Sequence, residues 1–371
     1  MKKIKMKKRF GFIGTLMVAV VSIMGATGVV SAKPLKVSPE GDSYNIQLMT
    51  QGRVASCEGK FELSQYCTAL AMTQRLEKKS HGRLKFTITT LPELGLSGTD
   101  ILRLVGDGTL QMAEVYSGYI AGDVPFVDMV NMWGMYESLP QQLEVIDATR
   151  DEIAAELGKQ NAVVLSNGYY PYNYVYTSKD VQTVADLEGV KIRSHSTVLS
   201  DMLSGVGAIG TFVAFSEVYG ALERGVVQGA VASVDGAFNA HWYEVTSYMT
   251  GPVNALALTW LTINQDLFES MDDGLQALIL AEGIHREKQV IIGVFRDTPK
   301  FAQALKDKGM VERPWPAGAV AKLKDASVSL VLPGWVKRTG GADSEAVKVF
   351  NENLADILGV RVLADGSIER F

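Results

Sequence analysis

Histidine and cysteine are scarce in this chain, numbering four and two. The histidines, His81, His195, His241 and His285, fall in no HExxH pattern or paired ligand spacing, which argues against a metal-dependent hydrolase. No GxSxG elbow and no Walker loop is present, so neither an α/β-type serine hydrolase nor an ATP site is indicated. Cys57 and Cys67 have no histidine nearby in sequence to activate a thiolate. No catalytic group, metal or cofactor is therefore expected. Basic residues are also in short supply once the six cations of residues 2–9 are set aside: 30 remain against 41 acidic ones, a net charge near −11 with histidine neutral. That balance disfavours nucleic acid and anionic membrane as partners. It does not exclude an anionic small ligand, because one arginine in a closed cleft outweighs a diffuse field.

The six cations belong to a separate object. Lys2, Lys3, Lys5, Lys7, Lys8 and Arg9 precede an apolar run over residues 10–30, and Val30-Ser31-Ala32 fits a small-residue cleavage site. This is a secretory signal peptide over residues 1–32, with cleavage expected after Ala32; an uncleaved anchor of about 20 apolar residues is the alternative. A lipid anchor has no cysteine to accept it there. Export permits a Cys57–Cys67 disulfide of stabilising role, and two free thiols are the other reading. Their separation of ten is not the three or four that stacks side chains on one helix, so a bridge needs Cys57 in the preceding loop.

With 371 residues, two domains are expected. The organising stretch is Asp186–Ser233. Val190 and Ile192 alternate with Lys191 and Arg193, a short strand with Arg193 at its C-terminal end. Ser196 is placed to cap a helix carrying Val198, Leu199, Met202 and Leu203. A guanidinium facing a helix N-terminus makes a site for an anion. Strand 209–213, a helix opened by Ser216 with Phe215, Val218, Tyr219 and Leu222 on one face, and strand 228–233 complete βαβαβ, which favours a parallel sheet with ligand at the strand ends. Glu217 at that helix start reads as a brace for Arg193 rather than a general base. Strands 44–50, 84–90 and 112–116 with intervening helices form an earlier βαβαβ, so two α/β lobes around a shared cleft are expected. Arg53 follows the first strand, where it faces the cleft or is an ordinary surface cation. His195 is read as a loop imidazole in solvent, with ligand contact as the alternative. Residues 249–264 read as strand-like, crossing back to the first lobe, 272–308 as one long helix weakened by Gly283 and Gly293, and 318–332 and 343–358 as closing helices of the second lobe. In an extended chain Tyr170, Tyr172, Tyr174 and Tyr176 share one face, more simply a covered sheet surface than a ligand contact.

The segments DLEGVKIR and FSEVYGALERGVVQGA resemble the signature of solute-binding proteins of TRAP (tripartite ATP-independent periplasmic) transporters, whose usual form runs close to DLKGLKIR…SEVYTALQRGVVDGA. The likeness extends to residues 82–115 upstream and LTINQDLFESMDDGLQALI downstream. It implies an α/β, type II-like periplasmic-binding-protein fold, each lobe a mixed sheet flanked by helices, with a long helix spanning both. Lobe I would take residues 38–168 and 250–290, and lobe II residues 169–249 and 291–371. It further implies a monomeric periplasmic receptor, not an enzyme, handing a small organic acid to membrane permease subunits. The ligand contacts carried over are Arg193, Arg53, Tyr172, His195, Phe215, Tyr219, Ser233 and Glu93. Many family members place a second arginine, within a pattern like GFRHFT, where this chain has its tyrosine run. Its absence favours a monocarboxylate with an apolar or aromatic body. A receptor for a sensor kinase, the binding component of an ATP-driven importer and a secreted enzyme are the alternatives, in falling order.

Overall fold

A computed structural model describes residues 36–52, 57, 65–253 and 255–371. The signal segment and Arg53 lie outside them. The strands of the two large sheets, in chain order, are β1 (Tyr44–Thr50), β2 (Leu84–Thr90), β3 (Met112–Tyr116), β4 (Ala162–Tyr169), β5 (Asn173–Thr177), β6 (Lys191–Ser194), β7 (Ile209–Phe212), β8 (Gly229–Ser233), β9 (Tyr248–Val253), β10 (Leu258–Asn264) and β11 (Val311–Pro314). They form a five-stranded sheet in the order β2-β1-β3-β10-β4 and a six-stranded sheet in the order β11-β9-β5-β8-β6-β7. Both are mixed. β1 runs parallel to β2 and β3, and β6 parallel to β7 and β8, whereas β10 is antiparallel to β3 and β4 and β5 is antiparallel to β8. β10 (LTWLTIN) is buried at every position, which is why it reads as an unbroken apolar run rather than an alternating one.

The chain passes between the sheets twice. It leaves the first after Tyr169, enters the second at Asn173, and returns between Val253 and Leu258. The two crossings lie side by side: the Tyr170 amide donates to Ala257 O at 2.9 Å, and Asn173 pairs with Val253. The Gln142 side chain clamps the return crossing, donating to Leu256 O at 3.0 Å and accepting from Leu256 N at 2.7 Å. The expected single strand over 249–264 is thus two. β9 stays in the second sheet through Val253 because it is paired on both sides, with β5 and β11.

The long helix is a single element, Asp273–Asp307, capped by Asp272, whose carboxylate accepts from the amides of Gly274 and Leu275. Leu275 and Ile279 pack with Leu165 and Ile263 of the first sheet; Phe301, Ala302 and Leu305 pack with Met249 of the second and with Trp242 beside it. Gly283 is the price of that approach: a Cβ there would sit 2.2 Å from Leu165 O. Glu287 on this helix accepts from both terminal nitrogens of Arg150, at 3.0 and 2.7 Å, and from the Asn167 amide at 2.9 Å, fixing β4 just before it leaves the sheet.

The helices after residue 318 contact segments on both sides of the crossings. Gly205 and Ala326 meet closely and Arg338 pairs with Asp201 at 2.8 Å, on the helix after β6. Yet Trp335 Nε1 donates to Pro125 O at 2.8 Å and Gln141 Nε2 to Ile357 O at 2.8 Å. The apolar stretch containing Val127, Trp133 and Leu139 needs a cover, and these helices supply it. Cys57 and Cys67 form a disulfide, with Cys67 on the helix Gln65–Lys79. For a loop this short, the cross-link contributes about 2–3 kcal/mol by restricting the unfolded chain.

Candidate functional site

Arg193 is set by its strand. β6 lies between β7 and β8, with Arg193 opposite Thr211 on one side and Ala230 on the other, and the following Ser194-His195-Ser196 leads straight into a helix. Ser196 caps that helix, Thr197–Gly205, as its spacing implied, accepting from the Leu199 amide at 3.3 Å. The Arg193 side chain is 2% exposed. Its Nε donates to Val213 O and its Nη1 to Val231 O, each at 2.9 Å, and its guanidinium lies 5.9 Å from the Phe215 ring centroid. Two of its five N–H groups are used in this way, leaving the outward Nη1/Nη2 fork. Among the described residues no carboxylate lies within ion-pair distance of it. Burial lowers its pKa to about 10, opposed by the nearby hydroxyls of Tyr119 and Tyr116. A buried cation compensated only by phenols and carbonyls is electrostatically suited to an anion.

The facing wall comes from the first lobe. Tyr116, the last residue of β3, places its hydroxyl 2.7 Å from His195 Nδ1, joining the lobes directly. Its ring stands edge-on to Tyr119, Tyr170 and His195 at 4.9, 6.0 and 5.6 Å, and Trp133 covers the other side of His195 at 5.0 Å. At Gly118 the two segments approach closely: a Cβ would lie 2.9 Å from Ser196 Cβ and 3.1 Å from His195 O. His195 is therefore not a solvated loop imidazole. It is 6% exposed, and burial together with Arg193 holds its pKa well below the usual range, so the ring is neutral.

The other expected contacts divide. Phe215 packs between Arg193 and Trp242, with its ring 5.8 Å from the indole. Ser233 ends β8, and its hydroxyl oxygen would lie 3.1 Å from a Cβ on Gly236. Tyr172 lies half-buried in the crossing, and its carbonyl accepts from the Val234 amide at 3.1 Å. The tyrosine row is split by that crossing: Tyr174 and Tyr176 pack in the second sheet's core, while Tyr170 joins Tyr116. Tyr219 turns away from the cluster, donating to Glu244 at 2.9 Å on the outer face. Glu93 is exposed and spent locally, accepting from the Thr90 amide and hydroxyl in a capping box. Glu217 is exposed and makes no ion pair with Arg193, so the brace role is not realised. Tyr116 and Asp235 were not anticipated, and Tyr119 and Trp133 only as part of the apolar segment 117–133 that the resemblance places near the cleft rim. Tyr116 was accessible to the same reasoning as Arg193, since it too ends a strand of a βαβ unit.

Beneath this wall lies a fully buried ion pair between Glu114 on β3 and Arg286 on the long helix. Glu114 also accepts from the Gln51 amide at 3.0 Å, and Arg286 donates to Ser166 at 3.3 Å. Elsewhere on the first lobe an open concavity of about 380 Å³ is lined by Thr99, Leu102, Arg103, Asp107, Asp123 and Lys159. It shares no residue with the Arg193 cluster. Among the described residues no group of three or more His, Cys, Asp or Glu side chains is placed to hold a metal, and no helix is long and apolar enough to cross a membrane.

The family model of the bacterial extracellular solute-binding proteins, family 7 (DctP), matches residues 61–330. The 2,3-diketo-L-gulonate-binding periplasmic protein YiaO of Escherichia coli is 23% identical over 250 residues, covering 67% of this chain and 76% of that one. Two solved structures share the fold. DctP7 of Bordetella pertussis, an extracytoplasmic solute receptor binding pyroglutamic acid, has a TM-score of 0.74 at 20% identity, over 83% of this chain and 99% of that one. A TRAP periplasmic solute-binding protein from Desulfovibrio salexigens with bound orotic acid has a TM-score of 0.76 at 18% identity, over 85% and 100%. A two-lobed fold with a long helix joining its sheets, and a family match across most of its length, lead to one conclusion: the chain belongs to family 7 of the bacterial extracellular solute-binding proteins.

Proposed function

We propose that this protein captures a small organic acid between its lobes by pairing the ligand's carboxylate with Arg193. One observation carries the reading: a guanidinium 2% exposed at a strand end, anchored by two backbone carbonyls and facing no carboxylate among the described residues. Such a charge is costly to bury alone, and a bidentate carboxylate offsets that cost while fixing the ligand's orientation. The surrounding rings of Tyr116, Tyr119, Tyr170 and Phe215 suit a monocarboxylate with an apolar or aromatic body. The acids named for the relatives above, pyroglutamic and orotic, are compact monocarboxylates, though on polar rings. In this reading the protein is exported, released after Ala32, works in the periplasm as a monomer, and delivers its acid to the permease subunits of an ion-gradient-driven transporter without chemical turnover. Calorimetry with acids and their matched primary amides tests it. The acid should bind at least about a hundredfold more tightly than its amide, and a second carboxylate should bring no gain. Equal affinity for acid and amide would overturn the proposal.

A further inference from the structure

Across Phe215 from Arg193 lies a second group of buried polar atoms that nothing in the carboxylate site uses. Asp235, in the first turn of the helix Val234–Asn239, has its Oδ1 buried and without a hydrogen-bond partner among the described residues. The Tyr176 hydroxyl and Trp242 Nε1 are in the same condition, on side chains with no exposed surface. The three are neighbours. Tyr176 and Trp242 stack edge-on at 5.6 Å, and the Asp235 charge acts on the hydroxyls of both Tyr176 and Tyr170. Phe215 links this group to Arg193: its ring lies 5.8 Å from Trp242, would lie 3.5 Å from a Cβ on Gly236, and lies 5.9 Å from the Arg193 guanidinium. Tyr170 makes a second link, through Tyr116, to His195.

We propose that Asp235 reads a protonated nitrogen on the ligand, so that the captured acid is a zwitterion with its carboxylate on Arg193 and an N–H-bearing cation on Asp235. This rests on the Arg193 reading above and adds the chemistry of the ligand's other end. Charge balance drives it. Arg193 and Asp235 together are neutral, and a simple monoanion closed between the lobes would leave one negative charge in a dry cleft. A zwitterion meets each buried charge with its opposite. An ionised carboxylate only accepts hydrogen bonds, so Asp235 Oδ1 selects a donor. A cationic N–H is the donor that repays its desolvation best. Burial raises the Asp235 pKa, a penalty that a cation beside it removes.

The test lets the protein choose. Purified mature protein is incubated with an extract of small bacterial metabolites, desalted and denatured, and the released compound is identified by mass spectrometry, in parallel with Asp235→Asn and Arg193→Ala. The expected compound is an acid with a protonatable nitrogen, retained at least about tenfold less by Asp235→Asn and not at all by Arg193→Ala. A nitrogen-free acid released from the wild type, or equal retention by Asp235→Asn, would overturn the zwitterion inference and leave the Arg193 site standing. Retention by Arg193→Ala, or no acid on the wild type, would overturn both. The wild-type result does not depend on how either variant folds.

Discussion

Arg193→Ala is expected to weaken binding of the captured acid by at least about a hundredfold in calorimetry. Truncating one partner of a desolvated, hydrogen-bonded charge pair costs about 3 kcal/mol or more, because the other charge is left buried and unpaired. The variant should nevertheless fold. Arg193 contributes two bonds to the carbonyls of Val213 and Val231, but it also carries the cost of a buried charge with no ion-pair partner among the described residues, and the two effects oppose one another. Thermal melting without ligand should therefore move by only a few degrees, while the ligand-induced rise in melting temperature disappears. Arg193→Lys keeps the charge and loses the planar fork. With a single point of contact replacing two parallel ones, affinity should fall by about tenfold and selectivity among acids should relax. A variant that bound as well as the wild type would place the anion elsewhere.

The second large effect concerns stability. Arg286→Met is expected to cost about 3–5 kcal/mol and to lower the melting temperature by about 10 °C, since it leaves Glu114 buried and ionised without its counter-charge. Even with Arg286 present, burial holds the Glu114 carboxyl above the usual range. Without the arginine it rises further. A carboxyl raised in the native state keeps a proton that the unfolded chain has released, so stability falls as the pH rises through that interval. The deficit of Arg286→Met should accordingly shrink as the pH is lowered toward about 5, and the double variant Arg286→Met/Glu114→Gln should recover more than half of the loss at neutral pH. Circular-dichroism melts across that range read both effects. A pH-independent deficit would mean that the arginine acts through packing alone.

The parts of this molecule that were legible in its sequence are those fixed by local pattern. Alternation placed β6, the Ser196 cap followed from residue type, and the run from Asp272 to Lys308 was helical by periodicity despite its glycines. Arg193 could be singled out because a charged residue closing a short apolar strand has little reason to be there except to face something. What was not legible depended on contacts between distant segments. Glu93 is a charged residue near a strand end, like Arg193, but its carboxylate closes a cap three residues away, and a linear pattern does not separate these uses. Tyr219 shares a helical face with core residues, yet its long side chain reaches Glu244 at the surface. His195 differs from a solvated imidazole only through Tyr116 and Trp133, which arrive from the other lobe. Asp235 was silent for the same reason: its isolation is a property of what surrounds it in space. The C-terminal helices contact both sides of the crossings because the apolar segment after β3 needs a cover, and periodicity says only that those helices have an apolar side.

The most direct test is a crystal structure of the mature protein with the acid it retains. This account predicts both carboxylate oxygens within about 3 Å of Arg193 Nη1 and Nη2, with the body of the ligand against Tyr116, Tyr170 and Phe215. A carboxylate bound away from residue 193, with that guanidinium making only its two backbone contacts, would contradict it.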